Sequence, residues 1–255
     1  MKYGFMLNLI NPLKKEIKFL KNSDFEYIEL PMESPYLKKI IKATPNYKFF
    51  KVAHVPTFVY TADLSEKIRN ASQNLVLESL DIAKRIGIRK LTVHPSYVTG
   101  LGRYEKTKVK KMGYDFLGRL YEKANELGLT ICLENMMPDE GWLFEPEEFK
   151  PILKDFKKMK FMLDIGHANV MGGDDRNLKF IKLFKKRIGH VHVHDNLGFK
   201  DDHLPIGCGK INFKKILSNL KKSGYNDTIT FELFNEDKDF LSLSLKKVKK
   251  IWKAS

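Results

Sequence analysis

Short β-type apolar runs recur along the chain, at Tyr3–Leu9, Phe25–Leu30, Phe49–Val55, Lys90–Val93, Leu129–Leu133, Phe161–Ile165, Ile188–Val193 and Thr228–Leu233. Each is short enough for a strand, and longer segments with helical periodicity separate them. The clearest helix carries Leu64, Ile68, Ala71, Leu75, Ile82 and Ile86 on one face. Asp63 is placed to cap its start, Lys84 and Arg85 suit its last turn, and Gly87 suits the position just past its end. A second helix runs through Val109, Phe116, Leu120 and Leu127 and stops at Gly128. Further helices are expected at 12–21, 34–43, 146–154, 174–187, 212–223 and 236–252. Strand and helix alternating eight times in 255 residues predict a parallel α/β protein, and the count favours a closed (β/α)8 barrel. An open doubly wound sheet is the runner-up, but no Gly-x-Gly-x-x-Gly follows the first strand. No linker or low-complexity stretch divides the chain, so residues 1–255 read as one domain.

Composition narrows the class. Apolar residues make up 43% of the chain, enough for a full core. Two cysteines exclude a disulfide scaffold and a four-cysteine zinc module, and they fit a reducing cytoplasm. The opening run breaks at Asn8 and Asn11, too polar for a signal peptide, and no run of about 18 apolar residues occurs. A soluble cytoplasmic protein is expected. The net charge of +15 invites a nucleic-acid reading. The lysines, however, are spread over the predicted helices, which reads as solvated helix faces. Lys far outnumbers Arg and Gln73 is the sole glutamine, a bias shared with thermophile proteins.

The chemistry sits at the strand ends. His54, His94, Glu134, Asp164, His192 and Glu232 end or nearly end the third to eighth strands, with His167 three residues past Asp164 and with Asp201 and His203 in the loop after the seventh. Alternation sets Thr92 and His94 opposite Leu91 and Val93, Asp164 opposite Leu163, and Glu232 opposite Phe231. His190, His192 and His194 share one face opposite Val191 and Val193. If the apolar face packs on helices, the ionisable face points into the barrel. Burying so many charges without partners costs several kcal/mol, and a divalent cation is the simplest way to satisfy them. Carboxylates and imidazoles suit Mn²⁺, Co²⁺, Zn²⁺ or Mg²⁺. Each residue alone has a plainer reading. A single strand-end histidine is more often hydrogen-bonded than a ligand, and Asp164 or Asp201 can cap a helix. His190 and His194 are assigned to packing or support, and Cys132 to the core. The full set, all at strand ends or just beyond, is much harder to dismiss.

The segments His94-Pro95, Leu133-Glu134-Asn135, Leu163 to His167, His192 to Asn196 and Asp201 to Gly209 resemble the xylose isomerase-like barrel superfamily, over nearly the whole chain. That superfamily holds sugar and sugar-phosphate isomerases and epimerases together with endonuclease IV. Resemblance to the ketose 3-epimerase branch implies one metal held by Glu134, Asp164, His192 and Glu232. The two glutamates would double as acid and base, moving a proton at the carbon between two metal-held oxygens of an enediolate. His167 would contact a substrate oxygen. The arginine expected after the metal histidine is missing, with Leu197-Gly198 near that place, which departs from enzymes of free ketohexoses.

Resemblance to the endonuclease IV branch implies three zinc ions held by His54, His94, Glu134, Asp164, His167, His192, Asp201, His203 and Glu232. All nine residue types are present, and DNA with abasic sites would then be the substrate. The loops differ: His54-Val55-Pro56-Thr57 lacks the lesion-probing tyrosine, and Pro31 to Pro35 carries Glu33 in place of an arginine. Cys208 stands between two glycines where an acid is expected, as a structural substitution or a soft ligand. Because loops decide substrate in this fold, a sugar or sugar-phosphate isomerase or epimerase is the first expectation, with the nuclease second. Dehydratases of the superfamily and a non-catalytic barrel follow. The loop from Asn135 to Leu143 should overhang the mouth, with Trp142 as a substrate wall, a contact in a homodimer, or plain loop packing.

Overall fold

The computed structural model describes residues 1–33, 36–43, 48–98 and 100–255. Eight parallel strands close into a barrel in sequence order, with β8 pairing back onto β1. They are β1 (Lys2–Met6), β2 (Tyr27–Pro31), β3 (Phe50–His54), β4 (Lys90–Val93), β5 (Thr130–Glu134), β6 (Lys160–Asp164), β7 (Ile188–Val193) and β8 (Thr228–Phe231). Around them lie α1 (Leu13–Lys21), α2 (Tyr36–Ala43), α3 (Glu66–Arg85), α4 (Lys106–Leu127), α5 (Pro146–Asp155), a single turn α6 (Ile165–Asn169), α7 (Gly173–Phe184), α8 (Phe213–Lys222) and α9 (Asp239–Ala254). No helix among the described residues is long and apolar enough to cross a membrane.

All eight expected strands form, and so do the expected helices. Positions 34–35 of the expected 34–43 helix lie outside the described residues. Two glycine stops hold: Gly87 at φ +83 and Gly128 at φ +68 take the left-handed conformation that ends α3 and α4. The start of α3 is corrected. The helix begins at Glu66, Ser65 sits at the N-cap, and Asp63 instead accepts the Ser65 N–H at 2.7 Å in a turn before it.

The strands keep their apolar sets on the outer face, under the helices. Phe161 of β6 stacks on Phe180 of α7 at 5.0 Å and meets Phe149 of α5 edge-on at 5.0 Å. The opposite set points inward. At the barrel floor the Tyr27 ring occupies the space where a side chain on residue 4 would sit, which is why β1 carries Gly4 there. Cys132 is fully buried in the interior, where desolvation pushes its thiol up to about 12, so it behaves as an inert core residue. Alternation thus delivers His94, Glu134, Asp164 and His192 to the same end of the barrel.

Candidate metal centre

The cluster is built in three adjoining sets, linked by the triads His54–His94–Glu134, Glu134–Asp164–His192, Asp164–His167–His194 and His194–Asp201–His203, in each of which the ligand atoms lie within 4.8 Å of one another. In the first, His54 and His94 face Glu134, with Nε2 to Oε2 distances of 3.6 and 2.8 Å. In the second, Nδ1 of His192 lies 3.1 Å from Glu232, 3.7 Å from Asp164 and 3.9 Å from Glu134. In the third, Asp201 is approached by His167 at 3.4 Å, His194 at 3.4 Å and His203 at 2.7 Å. All nine residues expected from the strand ends therefore converge.

Several of these atoms are buried without a hydrogen-bond partner: both oxygens of Glu134, Oδ2 of Asp164, Oδ1 of Asp201, Nδ1 of His94 and both ring nitrogens of His194. Native interiors rarely leave such atoms unpaired, and here they face one another. A donor set of nitrogen and oxygen without thiolate fits a divalent cation of the Zn²⁺ or Mn²⁺ type. The residues present fit a metal.

Electrostatics in the metal-free cluster point the same way. Burial opposes ionisation of Glu134, yet the imidazoles of His94, His167 and His54 hold its carboxyl well below the usual range. Glu232 is likewise disfavoured by burial but brought down to about 2 by His192 and His203. Against the cost of burial, Asp201 and neighbouring carboxylates raise His167 well above an ordinary imidazole. Glu134, Glu232 and Asp201 thus favour the ionised form, and the protons held on His167 and His192 stand where a cation would bring charge balance.

Two further residues join the cluster beyond those expected from the strand ends. Glu29, inside β2, is fully buried beneath the cluster and takes hydrogen bonds from Thr92, Thr230, His190 and His192 at 2.9, 2.6, 2.8 and 3.1 Å. One proton assignment satisfies the chain. Lys90 donates to the Thr228 hydroxyl at 3.0 Å, and that hydroxyl donates to Nδ1 of His190 at 2.7 Å. Nε2–H of His190 and Nε2–H of His192 then both donate to Glu29, leaving Nδ1 of His192 turned toward the cluster. With its oxygens already engaged, the Glu29–His190–His192 triad is a support rather than another cation pocket. A lone acid in the apolar run Tyr27-Ile28-Glu29-Leu30 was the signal available. His194, assigned to packing or support, is the second. Its Nε2 lies 3.2 Å from Asp164 and 3.4 Å from Asp201, so it joins the third set. Its ring also explains Gly166, where a Cβ would fall 1.9 Å from it.

Other expectations are corrected. Trp142 is buried in the core against Gly113 of α4, where a Cβ would meet the indole at 2.3 Å, so it does not wall the mouth. Cys208 is exposed to solvent and is no ligand. The surrounding glycines have a structural task. The Asp195 carboxylate accepts the N–H groups of Asn196, Gly207, Gly209 and Ile211 at 2.9–3.2 Å and folds this loop onto the barrel. Asp164 fulfils both of its readings: Oδ1 caps α6 through the His167 N–H at 2.6 Å, and Oδ2 faces His192. His203 adopts φ +47, a strained backbone for a histidine, held by its Nδ1–H bond to the Glu232 carbonyl at 3.0 Å.

Comparison with known proteins places this geometry. A structure described as a D-tagatose 3-epimerase-like protein superposes with a TM-score of 0.87 and 28% identity, covering 100% of this chain and 98% of that one. The zinc-bound IolI protein superposes with a TM-score of 0.76 at 21% identity, over 100% of this chain and 96% of that one, which shows the shared fold. Among sequences, an uncharacterised protein of Methanocaldococcus jannaschii is 29% identical over 91% of this chain and 83% of its own length. A probable endonuclease 4 of Thermosipho melanesiensis is 28% identical over 86% and 77%, and inosose isomerase of Bacillus subtilis is 23% identical over 88% and 85%. Residues 16–254 match the profile of one family throughout. The chain belongs to the xylose isomerase-like TIM barrel family.

Proposed function

We propose that the protein is a divalent-metal-dependent isomerase or epimerase of a sugar or sugar phosphate, working by proton transfer between two glutamates and a carbon next to a carbonyl. The observation that carries this reading is the convergence of Glu134 and Glu232 on Nδ1 of His192, beside a cavity of about 390 Å³ that Glu232 and His54 help to line. That volume is of small-molecule size. Glu134, Asp164, His192 and Glu232 would hold the cation, which supplies Lewis acidity toward two neighbouring substrate oxygens. Glu134 and Glu232 are both held below the usual carboxylate range in the metal-free cluster, so either can accept a proton from carbon; the other returns one to the opposite face after first taking up a proton from solvent. His167, with Nδ1 against the Asn135 carbonyl at 3.0 Å, has Nε2 on the Asp201 side for a substrate oxygen.

The test is exchange of the substrate carbon-bound proton with D₂O in metal-reconstituted protein. Glu134→Gln and Glu232→Gln should each slow it at least about 100-fold. Wild-type rates in either variant would remove the acid–base assignment.

A second reading rests on a specific observation as well. All nine ligand types of a three-zinc phosphodiesterase gather here, Glu232 through His192, and His194 adds a further nitrogen. Elemental analysis separates the two. One metal per chain supports the isomerase; close to three zinc ions, with cleavage of abasic duplex DNA that Asp201→Asn abolishes, would move the assignment to the nuclease.

A further inference from the structure

The cavity beside the cluster is lined from β1, β2, β3 and β8 and the segments that follow them. Its floor is shared with the metal centre through His54 and Glu232. Its walls are mainly Met6, Leu7, Leu9, Tyr36, Phe58 and Phe234, with the polar Asn8 and Thr57 among them, Phe58 exposed and Phe234 half-exposed at the rim. The charged residue added above the floor is an acid, Glu33, whose Oε1 accepts the Thr57 N–H at 2.5 Å. In a chain with 46 Lys and Arg, no lysine or arginine lines this space among the described residues, and positions 34–35, 44–47 and 99 hold none.

Phosphate recognition needs guanidinium, ammonium or free backbone N–H groups. The helix start nearest the cavity, α2, already has Glu33 ahead of it, and the Leu37 N–H is bonded to the Glu33 carbonyl at 2.9 Å. A phosphate dianion at the distal end would meet Glu33 with no lysine or arginine beside it, the cationic groups being confined to the floor at His54 and the cluster, in surroundings that are mostly apolar. Aliphatic and aromatic walls instead reward an apolar group, while Glu33 accepts hydrogen bonds from hydroxyls.

We propose that this cavity takes the distal end of an uncharged sugar bearing an apolar substituent, and that it discriminates against the phosphate ester. The inference rests on the isomerase reading: the reacting carbons lie at Glu232 and the cluster, and the far end of the molecule runs along the apolar wall. Phe58 and Phe234 flank the exit, so a substituent too long for the cavity continues between two aromatic faces.

The experiment compares the D-2-ketohexoses, each in three forms: free, as the 6-phosphate and as the 6-O-benzyl ether. Metal-reconstituted full-length protein is incubated with each in D₂O, and deuterium entering C3 is followed by NMR. For the sugar that reacts, kcat/KM should be at least tenfold higher for the benzyl ether than for the free form and at least tenfold lower for the phosphate. Phe58→Ala, at an exposed position that should not disturb folding, should remove most of the benzyl advantage. Glu33→Gln should narrow the phosphate deficit severalfold. A phosphate that reacts as well as or better than its parent sugar, or three equal rates, overturns the proposal and leaves the isomerase reading standing. Exchange into none of the sugars, in protein that elemental analysis shows to hold its metal, overturns both.

Discussion

His192 has a carboxylate on each side: Glu29 at 3.1 Å from Nε2 and Glu232 at 3.1 Å from Nδ1. Glu29 touches no candidate cation, so its task is to fix which nitrogen of His192 faces the cluster. Glu29→Gln, which keeps the shape and removes the anion, should weaken metal affinity about 10–100-fold, measured by competition with a chelating dye. An unchanged affinity would leave Glu29 a purely structural acid. Two other histidines set a pH dependence in the metal-free protein. Burial opposes charge on His54, but Glu134 pushes it up to about 8, and against the same opposition Asp201 pushes His203 to about 9. Folded-state values above the ordinary imidazole value mean that protonation stabilises the fold. That stabilisation is complete below about pH 6.5 and is lost as pH rises through 8 to 9. Thermal scans of metal-free protein should therefore show Tm falling across that window. A cation that replaces the protons should abolish the fall.

At the scale of elements, the ends of the fourth to eighth strands were legible because their side chains alternate with period two and the barrel forces one face inward. Asp164, Glu134 and Glu232 could be placed on that face from their apolar neighbours alone. Glu29 was not legible in this way, because it sits mid-strand in β2 and only the closed barrel brings it under His192, 163 residues away in sequence. His194 escaped because its partners, Asp164 and Asp201, lie on another strand and in a loop. Trp142 looked like a mouth residue because loops usually are, but Gly113 opens a slot for it in α4. The loop between β7 and α8 depends on a single acid. Asp195→Ala strands four backbone N–H groups and should cost at least about 2 kcal/mol of stability in urea unfolding. It should also loosen metal binding by Asp201 and His203 before it affects Glu134. On the outer face, Phe161→Ala should cost about 3–5 kcal/mol through the void left between α5 and α7.

For the whole molecule, the cluster ties together the ends of β3 to β8 and the loop that follows β7. Cation binding to the folded form alone should stabilise it by about 2.7 kcal/mol at a hundredfold excess over Kd. For a chain of this size that is a rise of roughly 5–10 °C in Tm, read by calorimetry with and without chelator. A much smaller rise would mean that the ligands are not used together.

The pairing of β1 with β8 carries a consequence for the birth of the protein. Lys2 to Phe5 find half of their partners only in Thr228 to Phe231, so the first strand emerges from the ribosome with one edge unfilled. At 5–20 residues per second it waits roughly 10–50 s for that edge to be synthesised. Glu232 arrives in the same moment. Barrel closure and completion of the candidate cation site are therefore one event, and no cation can meet the full ligand set before the last strand docks.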